Sequence, residues 1–172
     1  LVSILKAKKT KILLAAPTGR AARRMADSCS HFAQTVHRLL KFEPSQGGFT
    51  QNEQNPLLCD FVIMDETSML DLRLAAALIR SLPAKAHLLL VGDADQLPSV
   101  GSGNVLKDLI KSELFQVTRL AVTFRQAENS DIVDLAHSIL AGKGNPPPPL
   151  DSLAAINPHH DVHFVRALTP ED

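Results

Sequence analysis

At 172 residues with a 45% apolar share, the chain has room for one globular domain, or one domain and the start of another, and its apolar content is that of an ordinary core. No run reaches the roughly 18–20 apolar residues of a membrane-spanning helix, and Cys29 and Cys59 show neither metal nor redox spacing, so a free-thiol, cytoplasmic protein without a membrane partner is expected. The formal net charge is zero, but residues 1–41 hold nine Lys or Arg against the single acid Asp27, a net of +8 balanced by −8 in the remainder, which points to a polyanion surface at one side or to a solvated charged face.

Residues 1–8 read as the end of a helix; the first residues carry no initiator Met and no signal-peptide order, and the pattern is that of a helix entered midway, as in an excised fragment. Lys11 to Ala16 is a short apolar strand stopped by Pro17-Thr18-Gly19, and residues 20–28 are Ala- and Arg-rich and helical. A second helix is expected from Ser30 or Ala33 to Lys41, with Val36, Leu39 and Leu40 at helical spacing. Residues 43–56, rich in Gln, Asn, Gly and Pro, read as an exposed loop. Phe61 to Asp65 is a strand, and Asp71 to Leu82 a helix with apolar Leu72, Ala75, Ala76 and Ile79, ended by Pro83. Leu88 to Gly92 is a further strand, Gly101 to Ile110 a loop passing into a helix, and Val117 to Thr123 a short strand. Ser130 to Ala141 is a helix with Ser130 as N-cap and Gly142 as stop. Pro146 to Pro149 form a linker, and His163 to Arg166 suggest one more strand.

Short, continuously apolar strands alternating with helices predict an α/β fold with a mostly parallel sheet covered on both faces. Ligands of such sheets sit at the carboxyl ends of the strands. Pro17-Thr18-Gly19, Asp65-Glu66 and Asp93 through Gln96 all follow strands and are expected on that one edge. In Val62-Ile63-Met64-Asp65-Glu66 three apolar residues run into two carboxylates. Nucleotide-triphosphate hydrolases use such a pair, one carboxylate for Mg²⁺ and one to polarise the attacking water; an acidic turn at a strand end has the same look. Gln96 also reads as a polar loop residue, Arg125 as a surface ion-pair former, Thr18-Gly19 as a turn and His37 as a solvated histidine. His159, His160 and His163 follow the Pro-rich linker rather than a helical pattern and make a weak case for a metal.

The segments Leu14 to Met25 (LAAPTGRAARRM), Ala33 to Leu40 (AQTVHRLL), Val62 to Asp71 (VIMDETSMLD), Leu90 to Val100 (LVGDADQLPSV), Thr123-Phe124-Arg125-Gln126 and Asn129 to Gly142 (NSDIVDLAHSILAG) together resemble superfamily 1 DNA helicases, and among them the RecD-like group, the exodeoxyribonuclease V alpha subunit and its stand-alone relatives. The resemblance implies a RecA-like P-loop NTPase motor domain with ATP and Mg²⁺ as cofactors and single-stranded or duplex DNA as partner, working 5′ to 3′ either alone or with the other subunits of a helicase–nuclease complex. It implies that Asp65 holds Mg²⁺ through water, that Glu66 is the general base, that Gln96 senses the γ-phosphate and that Arg125 stabilises charge there. Pro17, Thr18, Gly19, Arg20, Thr35 and His37 would meet the DNA backbone, Val36 lying between the last two.

One element of that family pattern is absent: no Gly-rich loop ending in Gly-Lys-Ser/Thr occurs in the chain. The expectation is a motor domain truncated at its N-terminus, inactive alone, whose sheet carries a gap, an exposed edge or a partner strand. Residues 1–145 would be the partial motor domain, 146–160 a Pro-rich linker and 161–172 the start of a following domain. Two other readings stand beside this one: a catalytically silent ATPase-like module that acts by binding a partner, and a relaxase-linked helicase domain.

Overall fold

A computed structural model describes residues 1–120, 131–143, 150 and 162–164. The chain divides into two compact units, Leu1–Val117 and Thr118–Asp172. In the first, α1 (Val2–Ala7) leads to β1 (Ile12–Ala16), α2 (Gly19–Cys29), β2 (Ala33–Thr35) and α3 (Val36–Leu39). Then come β3 (Phe42–Glu43), β4 (Gly48–Phe49), β5 (Phe61–Met64), α4 (Leu72–Ser81), β6 (His87–Leu90) and α5 (Val105–Lys111).

Four strands form one wholly parallel sheet in the order β2-β1-β5-β6. Alternation along the strands explains how apolar runs serve two cores. Ile12 and Leu14 of β1 and Ile63 of β5 face one side, where they pack with Met25 of α2 and with Val2 and Leu5 of α1. Ala15, Val62 and Met64 face the other, against Val36, Leu39 and Leu40 and against Leu74, Ala75 and Leu78 of α4. Twelve buried residues make the second cluster and four the first, so the α3–α4 side carries most of the burial energy. No gap interrupts the sheet, since β1 pairs directly with β5 along Ile12–Ala15. Of the outcomes expected, an open edge is what occurs: β6 pairs with β5 on one side and has no strand on the other among the described residues.

The structure corrects three local expectations. The helix expected from residue 30 or 33 to 41 is a strand followed by one helical turn: Ala33, Gln34 and Thr35 pair in parallel with Leu14, Ala15 and Ala16, and only then does Thr35 cap α3. A three-residue strand is too short to show its period, and the following Val36, Leu39 and Leu40 are buried as expected. Residues 43–56 are not all loop, because Phe42 and Glu43 pair antiparallel with Phe49 and Gly48 across a 3-10 turn at Pro44–Gln46. On α4 the buried stripe is Leu74, Ala75, Leu78 and Ser81, whereas Leu72 and Ile79 are exposed. The helix carries apolar residues on two opposed stripes, and periodicity alone does not choose between them.

In the second unit, α6 (Asp131–Leu140) ends at Gly142, which takes φ +68° as a helix stop does. Ser130, its expected cap, lies outside the described residues, as do the tetraproline, His159 and His160. Residues 117–120 form no strand, and 121–123 lie outside the described residues. Around His163 the backbone makes one bridge, Leu150 N–H donating to the Phe164 carbonyl at 2.6 Å, rather than a strand over its described residues; 165 and 166 lie outside them.

Candidate functional site at the carboxyl edge of the sheet

Because all four strands run in parallel, the turns after β1, β2, β5 and β6 share one edge. Residue pairing sets which of them are neighbours. Ala16 is opposite Thr35, so the Pro17-Thr18-Gly19 turn and the start of α3 lie side by side. Both begin helices with a capping threonine: Thr18 Oγ1 accepts the Ala21 N–H at 3.2 Å, and Thr35 Oγ1 accepts the Arg38 N–H at 3.3 Å. A hydroxyl that caps as an acceptor keeps its own proton to donate, so each threonine can offer an O–H to a phosphate oxygen. Gly19 opens α2 and is exposed.

Arg20, Arg23 and Arg24 are exposed on α2 while Ala22 and Met25 are buried, which puts the basic charge of the N-terminal quarter on the outer face of that helix. None of the three has an ion-pair partner among the described residues, where the one ion pair is Arg80 with Glu53 at 3.8 Å. His37 is also exposed, and its ring has aromatic neighbours. Its ring lies 5.9 Å from Phe42 edge-on and 6.0 Å from Phe49, and these two phenylalanines are 5.2 Å apart. The hairpin thus gives His37 a packing role that the linear sequence did not reveal. Its signal in the sequence is two phenylalanines, Phe42 and Phe49, on either side of a Pro- and Gly-containing turn.

The acidic pair sits at the tip of β5. Asp65 N–H donates to the Ala15 carbonyl at 2.9 Å, which ties the turn to β1. Asp65 Oδ1 accepts the Glu66 N–H at 2.9 Å, and both residues are half-buried. Glu66 has φ +52° and ψ 42°, a left-handed backbone that is rare for a residue with a side chain. Thr67 follows in full burial, and its hydroxyl donates to the carbonyl of Val91, the residue just after β6. Thr67 was not among the residues expected at the site; a hydroxyl directly after an acidic pair was the available clue.

Gln96 is exposed in the turn after β6. Its Nε2 donates to Asp93 Oδ2 at 3.2 Å, and Asp93 Oδ1 accepts the Asp95 N–H at 3.0 Å, so Asp93 folds the turn around itself. Further along, the Ser102 carbonyl accepts the Leu72 N–H at 2.9 Å, and a Cβ at Gly101 would overlap the Asp71 carboxylate that caps α4. The loop of Gln96 is therefore anchored on the helix that follows the acidic pair. Arg125 lies outside the described residues.

Among the described residues no group of three or more His, Cys, Asp or Glu is gathered for a metal. A cation at Asp65 would find one or two carboxylates and take its remaining ligands from water and phosphate, which suits Mg²⁺ and not a closed protein cage. With no phosphate-loop motif in the chain, its residues fit the metal and water side of a nucleotide and not the phosphate grip. No helix of the described residues is long and apolar enough to cross a membrane.

A family model for AAA domains matches residues 1–102. The chain is 41% identical over 130 residues to the ATP-dependent RecD2 DNA helicase of Deinococcus radiodurans, covering 76% of this chain and 18% of that protein. It is 37% identical over 155 residues to the RecBCD enzyme subunit RecD of Mycobacterium tuberculosis, covering 80% of this chain and 27% of that one. It thus spans roughly a fifth to a quarter of the length of these relatives. In structure it is similar to Pif1 of a Bacteroides species in complex with ADP-AlF4, with a TM-score of 0.51 over 82% of this chain and 39% of that one at 19% identity, a likeness of fold. The mostly parallel α/β sheet expected from the strand pattern is present, and the chain belongs to the AAA domain family, as a RecD-like superfamily 1 helicase fragment.

Proposed function

We propose that this chain is the nucleotide- and DNA-facing part of an ATP-dependent DNA helicase motor. The observation that carries the reading is the shared sheet edge: the acidic tip of β5, the Gln96 turn after β6 and the capped, basic start of α2 all emerge from parallel strands on one side. The names of the relatives, an ATP-dependent RecD2 DNA helicase and a RecBCD enzyme subunit RecD, agree with it.

In this reading Asp65 orients Mg²⁺ through water, and the ion supplies charge neutralisation on the nucleotide phosphates. Glu66 takes the proton of the water that attacks the γ-phosphate. Gln96, held by Asp93, reports the state of that phosphate to the DNA side, and Arg125 adds positive charge where it develops. Thr18, Gly19, Arg20 and Thr35 hold the backbone of a single strand by N–H, O–H and guanidinium contacts, with Pro17 and His37 shaping the path. Movement is 5′ to 3′ on the strand, in the cytoplasm, either alone or beside the other subunits of a helicase–nuclease complex. Residues 1–145 belong to the motor, 146–160 to a linker and 161–172 to the start of a second domain.

The test is ATP hydrolysis with and without single-stranded DNA, using the protein at its full natural length. Stimulation by the strand supports the motor; nucleotide binding with no turnover would favour a silent partner-binding module instead.

A further inference from the structure

Glu66 occupies a left-handed bend, a conformation that a residue with a side chain keeps only when its surroundings impose it. Thr67, the residue after it, is fully buried. Its N–H donates to the Val91 carbonyl at 2.9 Å. Its Oγ1 lies 2.8 Å from the same carbonyl and 3.1 Å from the Met64 carbonyl; the one hydroxyl proton is shared between them, with Val91 the nearer acceptor. Met64 in turn accepts the Val91 N–H at 2.8 Å, so these bonds close a ring between the ends of β5 and β6.

The residue after Val91 completes the fit. A Cβ at Gly92 would stand 3.0 Å from the Thr67 nitrogen, 3.2 Å from that of Ser68 and 3.0 Å from Leu106 Cδ2, so any larger residue there would push on the Thr67 turn. Asp93 comes next and holds Gln96. Three residues thus separate the Glu66 bend from the Gln96 turn: Thr67 in the turn after β5, Val91 and Gly92 just after β6.

We propose that Thr67 is a positioning residue for Glu66: its hydroxyl and N–H clamp the left-handed bend onto the Val91–Gly92 segment that follows β6 and so fix the spacing between Glu66 and the Asp93–Gln96 turn. The proposal rests on the reading of Glu66 as general base. Thr67 touches no reacting atom and acts through Glu66.

The experiment compares Thr67→Val, which keeps the side-chain shape and the N–H but removes the hydroxyl, with Thr67→Ser, which restores it, in the full-length protein. Thr67→Val is expected to lower kcat for DNA-stimulated ATP hydrolysis on the order of tenfold with KM for ATP within about twofold, and Thr67→Ser to recover most of the loss. Amide hydrogen exchange over residues 64–69 and 91–96 should speed up together in Thr67→Val. In a Glu66→Gln background the valine change should add nothing further, because both act through one group. Wild-type kcat in Thr67→Val, or the same loss in the Glu66→Gln background as alone, would overturn the positioning role. Full turnover in Glu66→Gln would instead overturn the general-base reading on which it rests. If Thr67→Val fails to fold, Gly92→Ala tests the contact from the other strand, with the same split of kcat from KM expected and an unchanged kcat contradicting it.

Discussion

Asp65 Oδ1 accepts the backbone N–H of Glu66 at 2.9 Å, so the first carboxylate of the pair helps to hold the second in its left-handed bend. A bend of this kind costs about 1–3 kcal/mol for a residue with a side chain, and a fold tolerates such a cost where the position has work to do.

Replacing Glu66 separates the strain from the chemistry. Glu66→Gly should raise stability in chemical denaturation, by up to about 1 kcal/mol, because glycine adopts the bend freely and the gain is partly offset by the entropy of its unfolded chain. It should also abolish ATP turnover. A glycine variant less stable than the parent would show that the bend is not strained.

Arg20 is exposed, unpaired among the described residues and at the start of a capped helix. Arg20→Ala should weaken single-stranded DNA binding and reduce the slope of log affinity against log salt by about 0.7, the loss of one phosphate contact. Titrations at several salt concentrations check this, and an unchanged slope places the DNA elsewhere.

Much of this arrangement is legible in the chain because apolar runs ending in Pro17, Asp65 and Gly92 have the length and composition of parallel strands with their turns on one edge. What is not legible has physical reasons. Ala33-Gln34-Thr35 is too short to show a strand period and owes its state to pairing with β1. The stripe of α4 that faces the core is fixed by the neighbouring sheet, since Leu72 and Ile79 are as apolar as Leu74 and Leu78. Thr67 gains its meaning only from Val91, 24 residues away.

Two buried sites should respond differently to truncation. Ser68 Oγ is buried without a hydrogen-bond partner among the described residues, so Ser68→Ala should be neutral or stabilising by about 1 kcal/mol. Leu78, 1% exposed in the larger core cluster, should cost about 2–5 kcal/mol as alanine. Thermal and denaturant unfolding of the two variants side by side decides this; a clear loss in Ser68→Ala would mean that its hydroxyl has a partner.

Burial, with the Asp60 charge beside it, pushes the Cys59 thiol up from its ordinary value, whereas Cys29 is only half-buried. Below the thiol's unfolded pKa both states keep the proton and the shift has no effect on stability. Above it the unfolded chain loses its proton first, which favours unfolding. Stability should therefore fall as the pH rises through the alkaline range, and less so in Cys59→Ala relative to its own neutral-pH value. At pH 8 an alkylating reagent should modify Cys29 well before Cys59, as mass spectrometry of timed samples would show; equal rates would contradict the burial.

The central claim is that the acidic tip of β5 and the basic start of α2 serve one ATP-driven, DNA-stimulated motor. Its most direct test is the rate of Mg²⁺-dependent ATP hydrolysis by the full-length protein and its Glu66→Gln variant, with single-stranded DNA added stepwise. The account predicts a rate that climbs with DNA in the parent and falls at least about a hundredfold in the variant while ATP binding persists. A parent rate indifferent to DNA, or a variant as fast as the parent, would contradict it.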